Sequence, residues 1–201
     1  MIVLLTGATG NLGPAVHAAF ERGGHTVAAV SRTGPYAADL TKREDADRIV
    51  ELVLKEHGRL DVLAHALGGF ATGRVAETGD DTWRQMIDLN LNAAFYAIRA
   101  ALRPMLAQGG GRIIAVGSRA GVLPSAGAAA YNVSKAGLQG LIQSVALEVA
   151  GTAITANAVL PSVISKDKGI TAAALAEAVV WLASDAAAGV NGALMPLYGN
   201  G

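Results

Sequence analysis

Tyr131 and Lys135 stand four residues apart in the run Tyr-Asn-Val-Ser-Lys. On a helix that spacing puts a phenol and an ammonium on one face, about one turn apart. A cation beside a phenol stabilises the phenolate. Such a pair can exchange a proton with a substrate oxygen near neutral pH. Leu138, Leu141, Ile142 and Val145 continue at helical spacing and support the helix. A Tyr/Lys pair alone is equally an ordinary surface pair, and two more residues give it weight. Ser118 follows the apolar run Arg112–Gly117, thirteen positions before Tyr131. Asn90 falls inside the apolar stripe of Trp83, Met86, Ile87, Leu91, Ala94 and Ile98. A buried amide is costly unless its hydrogen bonds are met. An asparagine so placed bridges backbone groups, holds a relay water, or does both.

A second group sits at the start of the chain. Thr6-Gly7-Ala8-Thr9-Gly10-Asn11-Leu12-Gly13 follows an apolar run and opens a helical pattern. Glycines at Gly7, Gly10 and Gly13 permit a tight turn and let backbone amides approach a pyrophosphate. The helix start adds unpaired N–H groups and partial positive charge. Candidate phosphate contacts are therefore Gly7, Thr9, Gly10, Asn11, Leu12 and Gly13. The next apolar run ends Ala29-Val30-Ser31-Arg32. An acid there would hold the ribose hydroxyls of NAD(H); none is present. Arg32 can instead pair with a 2′-phosphate, with Ser31 beside it. NADP(H) is the expected cofactor, and NAD(H) remains the alternative.

These residues need a frame, and the pattern supplies one. Short apolar runs at Ile2–Thr6, Thr26–Ser31, Asp61–Ala66, Arg112–Gly117, Ala153–Leu160 and Ala193–Leu197 read as strands. Helices are expected at Asn11–Arg22, Arg43–His57, Asp81–Ala107, Ala128–Ala150 and Thr171–Ser184. Strands this apolar, separated by helices, indicate an α/β fold with a parallel sheet covered on both faces. The expectation is a single Rossmann domain over residues 1–201, a doubly wound parallel sheet of about seven strands. Ligands of such sheets bind beyond the carboxyl ends of the strands, where Ser118 would lie.

Composition narrows the classes. The chain has 201 residues, room for one filled core. Lys plus Arg equals Asp plus Glu at 16 each, so the basic excess of a nucleic-acid binder is absent. There is no cysteine, which excludes disulfides, thiolate nucleophiles and Cys-ligated zinc; no metal site is expected. The apolar start Met1–Leu5 is too short for a signal peptide and no run approaches a membrane span, so a cytoplasmic protein is expected. Ala93, Ala97, Ala100, Gly137 and Gly140 are read as facing outward. Two helices carrying them would pack on a symmetry mate, giving a homodimer or homotetramer.

Together these residues resemble the short-chain dehydrogenase/reductase family over nearly the whole chain. The order and spacing of Ser118, Tyr131 and Lys135 is the specific part. The resemblance implies a general acid/base in Tyr131. It implies a Lys135 that holds the nicotinamide ribose and favours the phenolate. Ser118 would orient the carbonyl, and Asn90 would support a relay water. Asp39 and Leu40 would lie by the adenine, Ala66 and Gly68 would line the cofactor, and Pro161 to Val163 would pass the nicotinamide. The chain departs from the family pattern in four places. Its glycines read GxxGxxG, Ala64-His65-Ala66-Leu67 replaces Asn-Asn-Ala-Gly, Pro161-Ser162 replaces Pro-Gly, and few residues separate Arg32 from Asp39. Gly68-Gly69-Phe70 is similar to the dihydropteridine-reductase-like branch, and oxoacyl-carrier-protein reductases are the other near relatives. The substrate-covering lid would shrink to Ser165–Ile170. The implied activity is hydride transfer between NADP(H) and a carbonyl, alcohol or imine-like small molecule. Two other readings stay open. One is an NADP(H)-binding sensor without turnover, which would have no need of the proton donor. The other is a sugar-nucleotide epimerase-like enzyme, which usually carries a substantial C-terminal substrate region. His65 either touches the cofactor or caps a strand.

Overall fold

Residues without apolar/polar alternation must be buried on both sides, and β1 (Ile2–Thr6) and β3 (Val62–His65) are. The computed structural model describes residues 1–165 and 169–199. In it one six-stranded parallel sheet runs in the order β2-β1-β3-β4-β5-β6, with β2 at Thr26–Val30, β4 at Gly111–Val116, β5 at Ile154–Pro161 and β6 at Leu194–Leu197. The strand order reverses beside β1: the chain steps to β2 on one side, then to β3 on the other. That reversal opens a crevice at the carboxyl ends.

The helices cover the sheet from both sides. On one face α2 (Arg43–His57), α4 (Ala93–Gln108) and α5 (Ala129–Glu148) bury Ile49, Val53, Ile98, Leu138 and Ile142. On the other, α1 (Gly13–Arg22) and α6 (Ala172–Ala183) bury Val16, Phe20, Leu175 and Val179. No helix among the described residues is long and apolar enough to cross a membrane.

Four expectations need adjustment among the described residues. Six strands form where about seven are expected: beyond β2 the chain adds only one parallel bridge, Ser31 to Ala37. The stretch to α2 is too short for a full edge strand and its return helix. The long helix is not uniform: α3 (Asp80–Ile87) passes through a π-helical turn, Asp88–Asn92, into α4. α1 begins at Gly13, two residues after the expected start, which leaves Asn11 and Leu12 in the loop. The small residues read as outward-facing are mostly inward. Ala93, Ala97 and Ala100 are buried, and a side chain on Gly137 would meet Leu91. Gly140 alone of the five meets open space. The middle of the shortened lid, residues 166–168, lies outside the described residues.

Candidate active site

A cleft of about 860 Å³ opens at the carboxyl ends of the strands. Gly7, Thr9, Gly10, Asn11 and Leu12 border it from the loop after β1. Ser31, Arg32, Asp39 and Leu40 border it beyond β2, Ala66 and Gly68 beyond β3, and Pro161 at the end of β5. Ser118, Tyr131 and Lys135 complete the opposite wall. Three expected site residues lie off the wall. Gly13 is packed, and a Cβ there would come within 2.3 Å of Ala8 O, so it closes α1 onto the loop. Val163 is 64% exposed and Ile164 takes the wall position. Asn90 is wholly buried.

The loop after β1 is shaped for an anion. Gly7 holds φ at 70°, in the left-handed region, and a Cβ there would lie 2.7 Å from Leu67 N. Only glycine fits both conditions. Leu12 stands at the N-cap of α1 and supplies no side-chain cap; Pro14 has no N–H and Ala15 N and Val16 N donate to Leu12 O, so the first-turn N–H left for a ligand is that of Gly13. At the far end Ser31 Oγ donates to Thr33 O and accepts from Thr33 N, a closed local turn. Arg32 is exposed and makes no ion pair among the described residues. The Asp39 carboxylate accepts from Thr41 N and Oγ1 and lies 3.9 Å from Lys42 Nζ. Both hydrogen bonds fall on Oδ1, and Oδ2 faces the Lys42 ammonium.

On the opposite wall α5 turns Tyr131 and Lys135 toward the cleft. Lys135 Nζ donates to Val116 O at 3.0 Å. Burial, without a carboxylate to pair with, pulls its pKa down from 10.5 to about 8. It is still an ammonium at neutral pH. Of the ammonium's three donors, one is taken by Val116 among the described residues. Ser118 Oγ accepts from Ala120 N at 3.1 Å, which leaves its O–H to donate. Tyr131 meets Phe70 edge-on, ring centres 4.9 Å apart.

Asn90 organises this wall from behind. Its Oδ1 accepts from Gly69 N at 2.9 Å and its Nδ2 donates to Gly69 O at 3.1 Å. The same Nδ2 donates to Ser134 Oγ at 3.1 Å, and Ser134 Oγ donates to Tyr131 O at 2.8 Å. Asn90 therefore links the loop after β3 to the first turn of the tyrosine helix. Gly68 sits against it so closely that a Cβ there would lie 2.7 Å from Asn90 Oδ1 and 3.2 Å from Lys135 Nζ. His65, at the end of β3, is buried and does not border the cleft; its Nδ1 bonds Thr6 Oγ1 at 2.9 Å. Burial, and then the Lys135 charge, pull its pKa down to about 3, so it is neutral.

The sequence placed neither Ser134 nor Ile164 at the site, and it marked Phe70 only as part of a family-like Gly-Gly-Phe run. Ser134 had a readable signal, a small polar residue on the buried side of the Tyr131 helix. Phe70 and Ile164 had none, because each reaches the site through a loop whose path no periodicity encodes.

With this geometry in hand, the chain can be set beside known proteins. A family model described as short chain dehydrogenase matches residues 1–172. The 3-oxoacyl-[acyl-carrier-protein] reductase of Escherichia coli (strain K12) is 30% identical, covering 98% of this chain and 96% of that protein. A 3beta-hydroxysteroid dehydrogenase of Mediterraneibacter gnavus is 32% identical, covering 80% of this chain and 65% of that protein. The crystal structure of gox2181 superposes with a TM-score of 0.93 at 28% identity, covering 98% of this chain and 93% of that one.

Proposed function

Because the chain belongs to the short-chain dehydrogenase family, and is thus an NAD(P)-dependent oxidoreductase, we propose that it uses NADP(H) to interconvert a ketone or imine-like substrate and its reduced form. One observation carries this reading: Ser118, Tyr131 and Lys135 converge on one cleft whose other end holds an uncapped helix start and an exposed Arg32. The dinucleotide, when bound, supplies the hydride.

The chain's own residues divide the remaining work. The backbone N–H groups of Thr9, Asn11, Leu12 and Gly13, which donate to no carbonyl among the described residues, hold the pyrophosphate. Arg32 takes the 2′-phosphate by a bidentate contact. Asp39, its Oδ1 held by Thr41, borders the adenosine end. Lys135 gives its remaining donors to the nicotinamide ribose. Ser118 donates a hydrogen bond from its hydroxyl to the substrate carbonyl oxygen and keeps its proton. Tyr131 then delivers a proton to that oxygen as negative charge develops on it. Leu40, Ala66, Gly68 and Pro161 line the dinucleotide's path. Phe70 and Ile164 give the substrate end an apolar wall, which favours a ketone with a hydrocarbon body. Of the relatives, one is named for a 3-oxoacyl group and another for a 3-hydroxysteroid. Both are ketone/secondary-alcohol chemistries.

The test is direct. NADPH and NADH oxidation are followed against a panel of ketones, diketones, quinonoid pterins and oxoacyl thioesters. We expect NADPH to be oxidised with at least one member and to bind more tightly than NADH. NADPH binding without turnover on any member would put the sensor reading first.

A further inference from the structure

α5 carries a third residue on the stripe of Tyr131 and Lys135. Gln139 lies four positions beyond Lys135, hence one turn further along the same face. It is 4% exposed, and burying an amide is costly unless its hydrogen bonds are met. Its Nε2 donates to the backbone carbonyl of Ser118 at 2.6 Å. Lys135 holds Val116 O in the same manner. The tyrosine helix therefore grips the end of β4 at two carbonyls, and the second belongs to Ser118.

The chain around Ser118 leaves room for this grip. A Cβ at Gly121 would lie 2.4 Å from Gln139 Nε2, and one at Gly117 would lie 3.5 Å away. The amide thus occupies a slot between glycines on both sides of Ser118. Ser118 is extended, with φ −164° and ψ 148°, and its Oγ is held by Ala120 N. Its hydroxyl is held by one hydrogen bond and its carbonyl by two, from Gln139 Nε2 at 2.6 Å and from Gly121 N at 3.1 Å. Losing the shorter bond, from Gln139, leaves the carbonyl to the Gly121 amide alone and loosens the Ser118 peptide, which carries Cβ and the hydroxyl with it.

We propose that Gln139 is a positioning residue for the reaction, holding the Ser118 peptide so that the hydroxyl meets the substrate carbonyl. The proposal rests on the reading of Ser118 given above. Gln139 touches neither substrate nor cofactor and acts only through Ser118. A residue serving the fold alone gives losses that add to those of Ser118→Ala, and weakens cofactor binding along with turnover.

The experiment is a double-mutant cycle of Ser118→Ala and Gln139→Leu. It uses NADPH with 2,3-butanedione or ethyl acetoacetate, whichever the wild type reduces faster. NADPH binding is measured separately by fluorescence. We expect Gln139→Leu to lower kcat by about tenfold, the worth of one buried hydrogen bond, with NADPH affinity unchanged. The double variant should be no slower than Ser118→Ala alone. Gln139→Glu supplies a second arm. Its carboxyl, protonated more readily because it is buried, regains a donor at low pH. Its activity relative to wild type should therefore rise as pH falls. Additive losses, normal turnover in Gln139→Leu, or an unchanging Gln139→Glu ratio would each overturn the proposal. A Ser118→Ala enzyme with normal turnover would refute the Ser118 reading instead. A wild type that reduces neither probe overturns both.

Discussion

His65 shows what a single buried residue can reveal. It bonds Thr6, 59 positions earlier, at the ends of two adjacent strands, and stays neutral down to about pH 3. An unfolded chain would protonate it near 6.5. Between those values the unfolded state binds a proton that the folded state refuses. Stability is therefore lost as pH falls through that window, by about 1.4 kcal/mol per pH unit. His65→Asn keeps a polar atom near Thr6 and removes the titration. Urea unfolding at pH 7 and 4.5 should show a larger acid loss in the wild type than in the variant; equal losses would contradict this. The other residue-scale prediction concerns Arg32. Replacing Ser31 by Asp and Arg32 by Leu should weaken NADPH by about 10- to 100-fold and improve NADH. Cofactor titrations would show it, and an unchanged NADPH affinity would count against the assignment of Arg32. Tyr131, Lys135 and Ser118 were legible in the sequence because helical spacing and a strand end locate them. The partners of Asn90 and His65 were not, because hydrogen bonds between distant segments leave no local pattern.

At the scale of elements, the apolar periods located every principal strand and helix, because a parallel sheet buried on both faces writes itself as apolar runs. The π-helical turn at Asp88–Asn92 escaped that reading. Its apolar stripe looks like a continuous α-helix, and the extra residue in one turn alters the side-chain period only locally. The edge beyond β2 escaped for the same reason in reverse, since one bridge is too little to form a run. Gly13 marks an element boundary on which the site depends. A methyl group there would fall 2.3 Å from Ala8 O. Gly13→Ala should therefore push α1 off the loop, lower the melting temperature and weaken NADPH binding together. A variant with wild-type melting temperature and NADPH affinity would contradict the packing argument.

For the whole molecule, the outer face of α4 differs from the small-residue surface the sequence suggests. Arg99 lies over Phe95 and Tyr96, 5.1 and 5.5 Å from the ring centres, and two of its guanidinium nitrogens are buried without a partner among the described residues. Phe95 is exposed. A symmetric association through this face would cover the ring and satisfy the arginine. We expect a homodimer or homotetramer by light scattering at micromolar concentration, reduced to monomer by Phe95→Asp. A monomeric wild type would refute the assembly.

The role proposed for Tyr131 is to deliver the proton as hydride arrives. Tyr131→Phe removes one hydroxyl and leaves the ring against Phe70. The decisive measurement is steady-state turnover of this variant on the best-reduced carbonyl, with NADPH affinity measured alongside. General acid catalysis contributes about 10²–10⁴-fold, so turnover should fall by that much while NADPH binding stays as in the wild type. Near-normal turnover in Tyr131→Phe would contradict the claim.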